Sequence, residues 1–303
     1  MYRSKKGVCG YRGSHMASSP SHKFGQLIGN CIEEIFLPYL EDIAQQFDLY
    51  LDHKSKNRSA RKGKKVSWSD NKKNRHDLDF VLEHGGTNKE RGMPVAFIEC
   101  AWRRYTKHSR NKAQEIQGAL LPLSDAYGHH NPFLGVILAG EFTDSAIEQL
   151  RSHNFCVLYL PYEKIVKAFK TAAIDIQFDE KTSDRELIKR LPDVEKKLKH
   201  SHNKIRKALV DLSQKEVDLF FGELAQRFER KLLRIVILEI FGREHPFQSV
   251  DEAIVFLKNA CKTSSCTSLI RHEIQLNFSN GDEIRAVFIK KADAIDYLLQ
   301  YVT

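Results

Sequence analysis

A chain of 303 residues with 42% hydrophobic content is long enough for one large core or two smaller ones. Its net charge of +9, from 48 Lys+Arg against 39 Asp+Glu, favours a polyanionic partner, with nucleic acid first and an anionic membrane second. No apolar run approaches the ~18 residues of a membrane span, which argues against an integral membrane protein.

No secretory signal is visible. The segment RGSHMAS at 12–18 resembles a vector-derived leader, so residues 1–20 are set aside from the fold reading. Six cysteines (Cys9, Cys31, Cys100, Cys156, Cys261, Cys266) form no CxxC pair, and several lie in apolar runs. Reduced thiols in a cytoplasmic protein, without disulfides or structural zinc, are expected.

Residues 24–47 have helical periodicity, with Leu27, Ile28, Cys31, Ile32, Ile35 and Phe36 as the apolar stripe. Gly25, Gly29 and Glu33 share one i, i+4 ridge, and Pro38 is expected to kink or divide the helix. Residues 53–75 hold ten Lys/Arg and one acid, Asp70, around a short strand at 65–69. A phosphate-gripping loop is the reading, through Lys62, Lys64 and Lys65, with Trp68 pinning the hairpin.

Two strands with misplaced acids follow. In the first, which starts at His76 and runs to a Gly-rich polar turn at 83–92, Asp77 and Asp79 are two residues apart and would leave the same face of one strand. In 94–102 the run is almost wholly apolar except for Glu99. An uncompensated polar group in a buried strand costs on the order of 2–7 kcal/mol, and a charge costs more. Two such strands close in sequence suggest carboxylates converging on a metal ion. Basic residues return at Arg103, Arg104, Lys107, Arg110 and Lys112, with Arg104, Lys107 and Arg110 read as nucleic-acid contacts.

Helices are expected at 109–121, 143–153 and 162–172, with buried strands at 132–140 and 155–160. His129 and His130 read as surface or capping residues in a turn. The alternation implies an α/β fold with a mixed, partly parallel sheet flanked by helices. Beyond a boundary placed near 180, residues 185–211 read as charged helix. Residues 214–234 read as a second long helix, with Ser213 and Glu216 spaced as a capping box. A strand at 234–241, a helix at 250–260, a hairpin at 269–288 turning at Asn280-Gly281, and a helix at 292–302 complete the chain. Residues 21–180 thus form the core, and 181–303 a C-terminal α+β accessory domain for target recognition or dimerisation.

The order of a helix with GxxxGxxxE, a strand, a strand with Asp, a strand with Glu, a helix and a strand resembles the PD-(D/E)XK nuclease superfamily. Type II restriction endonucleases are its best-populated branch, and the resemblance covers roughly 24–172. It implies a restriction-endonuclease-like core that binds Mg²⁺, with Mn²⁺ as substitute, through Asp79 and Glu99. Asp77 is the alternative or supporting first acid. Glu33 matches the first-helix carboxylate, with Glu34 the alternative register. The position of the motif lysine holds Ala101; Arg103, Lys107 and Lys112 are the candidates for the missing base. The implied activity is sequence-specific cleavage of double-stranded DNA by a homodimer. A nuclease-like fold that binds nucleic acid without cutting it is the alternative, as is a repair or transposition nuclease on the same core.

Overall fold

The computed structural model describes residues 19–179, 181–238, 244–259 and 272–302. Helix α1 (Pro20–Gln46) opens on Ser19, whose side chain accepts the His22 amide, with Pro20 at the first helical position. It begins inside the stretch set aside as leader. Its apolar stripe buries Phe24, Ile28, Cys31, Ile32, Ile35 and Phe36, each side chain contributing about 1.5–3 kcal/mol. The helix runs unbroken through Pro38 rather than dividing there. A proline removes one backbone donor, and the packed stripe on both sides holds the helix together.

Strand β1 (Leu49–His53) follows, then the separate two-stranded hairpin of β2 (Val66–Ser69) and β3 (Arg75–Leu78). Next come β4 (Phe80–His84), β5 (Met93–Arg103), α2 (Ser109–Ala126), β6 (Phe133–Gly140), α3 (Asp144–Arg151), β7 (Cys156–Pro161) and α4 (Tyr162–Thr171). The main sheet runs β1-β4-β5-β6-β7. β1, β4 and β5 form an antiparallel meander, while β5, β6 and β7 are parallel. This is a mixed five-stranded sheet flanked by helices. β6 is buried at every residue, as a central strand covered on both faces must be.

Alternation along β5 sorts its side chains between two cores. Ala96 and Ile98 pack with α1 and α4, whereas Phe97 and Ala101 pack with α2. Trp102 lies against the Gly25–Gly29 ridge, at 3.6–3.7 Å from where a Cβ would stand on either glycine. At the far end, Gly140 has φ +105°, and a Cβ there would overlap the Arg103 carbonyl.

The division expected near 180 does not coincide with a break in packing. Helices α5 (Asp184–Leu198), α6 (His202–Asp211) and α7 (Gln214–Glu229) bury Leu187, Ile205, Leu209, Phe220 and Leu224 in the core of α1. A second core begins only with β8 (Leu232–Leu238), joined by β9 (Glu244–Phe247), α8 (Val250–Asn259), β10 (His272–Phe278), β11 (Glu283–Phe288) and α9 (Lys291–Leu299). Its antiparallel sheet has the order β11-β10-β8-β9, and Gly281 supplies the positive φ of the hairpin turn. The parts of these elements expected at 239–241, 260 and 269–271 lie outside the described residues.

The capping box at Ser213 does not form. Glu216 is drawn to Lys164 at 2.8 Å, and Ser213 makes no side-chain cap. His129 is a surface residue, as expected, and His130 is half-buried; both also seat the second unit. Tyr297 Oη donates to the His129 carbonyl at 2.8 Å, and both imidazoles pack on the Tyr297 ring. No helix among the described residues is long and apolar enough to cross a membrane.

Candidate functional site

Asp79 sits at a bend. β3 pairs with β2, whereas β4 pairs with β1 and β5, so the chain leaves one sheet and enters another at this residue. The Asp79 carboxylate accepts the Cys100 amide at 2.8 Å, and the Asp79 amide donates to Glu99 Oε1 at 3.3 Å. These two bonds lock the acids of neighbouring strands side by side. Glu99 points to the α2 face with Phe97 and Ala101, and is buried.

Electrostatics bring a third acid into the group. Burial pushes the Glu99 pKa well above its ordinary value, and the negative charge of Asp79 adds to the shift; Lys112 acts against it. Burial raises Asp79 too, against the Cys100 amide, Lys54 and Lys112. Glu33, on α1, is pushed up to about 7 by burial and by Asp79, with Lys54 opposing. The structure thus brings Glu33, Asp79 and Glu99 into one electrostatic cluster, with Lys112 reaching it from α2 and Lys54 from the end of β1. Among the described residues no group of three or more His, Cys, Asp or Glu stands ready to hold a metal ion. In this arrangement Glu33 is engaged by Lys54, whose ammonium lies 2.6 Å from Oε2 and 2.8 Å from Oε1 and also donates to Asn30 Oδ1 at 2.9 Å. Glu34, the alternative register, turns away to His202 at 2.7 Å.

Other predicted residues lie elsewhere. Asp77 does not share a strand with Asp79. It is on the β2–β3 hairpin, half-exposed, bonded to Lys65 at 2.5 Å and to the Ser67 hydroxyl. Those two donors hold its pKa below the usual range. It is therefore not one of the clustered acids. Arg103 donates to the Trp102 carbonyl at 3.0 Å and lies 3.6 Å from Glu115, which Lys112 also meets at 3.4 Å. Arg104 is not a free phosphate contact either. Its guanidinium donates to the Phe178 carbonyl at 2.6 Å and covers the Tyr162 ring at 4.0 Å. Lys107 lies over the Tyr105 ring, and Arg110 is exposed.

The basic run is anchored rather than loose. Arg58 is buried and bonds both oxygens of Glu83, Asp52 at 3.0 Å, and the carbonyls of Thr87 and Glu90. Arg61, also buried, meets Asp52 at 3.2 Å and the carbonyls of His53 and Lys56. Glu83 further accepts the Gly92 amide at 2.7 Å. Lys62, Lys64 and Lys65 stay exposed on the surface this knot supports. Trp68 is a pin: it is buried against Phe97 and Tyr127.

Sequence reasoning passed over Lys54, Arg58 and Arg61 as undistinguished members of a phosphate-gripping run. A usable signal existed for the two arginines. Asp52 and Glu83 are buried acids inside strands, like Glu99, and both needed buried cations.

No protein-family model matches the chain, and no curated protein matches it. One solved structure, the crystal structure of the protein of unknown function AF1548, aligns over 65% of this chain and 99% of its own, at 10% identity and a TM-score of 0.29. Similarity at that level transfers neither fold nor function.

Proposed function

We propose that this chain is a Mg²⁺-dependent endonuclease cutting double-stranded DNA on a PD-(D/E)XK-like, restriction-type core, in the cytoplasm and as a homodimer. The observation that carries the reading is the Asp79–Glu99 pair at a strand junction: half-buried Asp79 accepts the Cys100 amide, buried Glu99 accepts the Asp79 amide, and Glu33 feels the Asp79 charge. Such a group gains from a divalent cation what it lacks in water. The donor set fits: it offers hard carboxylate oxygens, while burial holds the nearby Cys100 thiol protonated and unsuited as a soft ligand.

Asp79 and Glu99 would hold Mg²⁺, or Mn²⁺ in its place, and Glu33 would complete the set. The bound ion supplies a hydroxide near neutral pH and relieves charge on the phosphoryl transition state. The protein's own part is to fix the two acids and to exclude water behind them. Ala101 is 3% exposed under α2, so a lysine at that position would have no room to keep its charge solvated. Lys112, whose charge already acts on Asp79 and Glu99, would steady the developing charge. The exposed lysines of the anchored loop supply duplex contacts, and a second copy of the chain the second strand's cut.

Incubation of purified protein with plasmid and Mg²⁺ tests this. Discrete fragments are expected, lost in Asp79→Asn and Glu99→Gln while duplex binding persists. Intact plasmid across Mg²⁺ and Mn²⁺ would defeat the reading. A gel shift under those conditions would favour a binding protein that does not cut, the reading to which the buried Ala101 lends weight.

A further inference from the structure

We infer that Lys54 is a resident counter-ion of the acid cluster: its ammonium holds Glu33 until a divalent cation enters, and the two compete for that carboxylate. The inference rests on the metal-site reading above and adds the group that regulates occupancy.

The geometry is that of a clasp. Lys54 follows the last residue of β1 and reaches across to α1. Glu33 and Asn30 are three residues apart and so lie on one face of the helix. Together they hold the ammonium with three contacts of 2.6–2.9 Å, two from Glu33 and one from Asn30. Its charge also reaches Asp79. The ammonium therefore performs part of the service a metal ion would perform, on the acid that α1 contributes. Glu33 is nearly buried, whereas the Lys54 side chain is 44% exposed. On cation entry the acid has nowhere else to go, while the lysine can swing into solvent at the rim of the site. Lys112, on the opposite face, remains in place throughout.

Mn²⁺ binding to the full chain, followed by the electron paramagnetic resonance of free Mn²⁺ at pH 7.5, tests this in a double-mutant cycle of Lys54→Met and Glu33→Gln. Lys54→Met is expected to tighten Mn²⁺ about fivefold in the wild-type background, the scale of a part-exposed ion pair. In the Glu33→Gln background it should change affinity less than twofold. Equal tightening in both backgrounds means that Lys54 acts only through its field, and no tightening means that it does not compete; either overturns the inference. Asp79→Asn separates this from the underlying reading. Mn²⁺ that binds Asp79→Asn as well as wild type removes the metal site itself. Circular dichroism and the unfolding midpoint establish that each variant is folded, and Lys54→Gln repeats the test with a different side chain.

Discussion

Glu33 offers the sharpest quantitative prediction. Its carboxyl moves from an ordinary value of 4.5 to about 7 in the folded, metal-free chain, because burial and the charge of Asp79 outweigh the pairing with Lys54. The folded state thus holds this proton more tightly than the unfolded state. The associated stability is fully present below pH 4.5, falls as pH rises through 4.5 to 7, and is level above that. The shift corresponds to about 3 kcal/mol at its limit. Glu33→Gln fixes a neutral group of the same shape. In EDTA at pH 8 the variant should be more stable than wild type by about 2–3 kcal/mol, and at pH 5 by less than about 1 kcal/mol. Urea denaturation at stepped pH measures both. A variant that is equally or less stable at pH 8 would refute the reasoning, since the Lys54 pair would then outweigh burial and crowding together.

Three further outcomes are expected. Arg58→Met leaves Glu83 and Asp52 buried without their shared cation and should cost about 3–5 kcal/mol by chemical denaturation; a cost under about 1 kcal/mol would mean the knot relaxes into solvent. Gly140→Ala forces a Cβ onto the Arg103 carbonyl at a φ of +105° and parts the ends of β5 and β6, breaking the bond from the Glu141 amide. A loss of at least about 2 kcal/mol is expected, readable in the thermal midpoint. Lys112→Ala should slow plasmid cleavage at least about a hundredfold while duplex affinity changes by less than about threefold. Parallel losses in both would make Lys112 a phosphate contact instead.

Periodicity carried the architecture because most elements bury one face. The stripe of α1 and the continuous apolar runs of β5 and β6 each have a single packing solution, and their residues were legible before any coordinates. Asp79 and Glu99 were legible for the opposite reason, since an acid in an apolar strand has to be compensated. Pairing partners were not legible. Asp77 was grouped with Asp79 because a continuous strand puts i and i+2 on one face, and the bend at Asp79 removes that premise. Lys54 meets Glu33 across 21 residues, and Arg58 meets Glu83 across 25, so neither pair leaves a local trace. The boundary misplaced near 180 has a similar origin. The charged faces of α5 and α6 dominate the composition there, while sparse leucines on their inner faces join the core of α1.

The knot around Arg58 would also set the thermodynamics of the proposed association with DNA. A basic loop that orders only on meeting a polyanion loses conformational entropy at that moment, and affinity falls accordingly. Here the buried arginines fix the loop in advance, so under the proposed function its exposed lysines would meet a phosphate backbone with little further ordering. Arg58 and Arg61 are buried against Asp52 and Glu83, so they would neutralise no phosphate and release none of its counterions. Of the ten Lys/Arg between 53 and 75, at most the other eight contribute to the salt dependence of binding, and a measured slope steeper than they allow would have to draw on charges elsewhere.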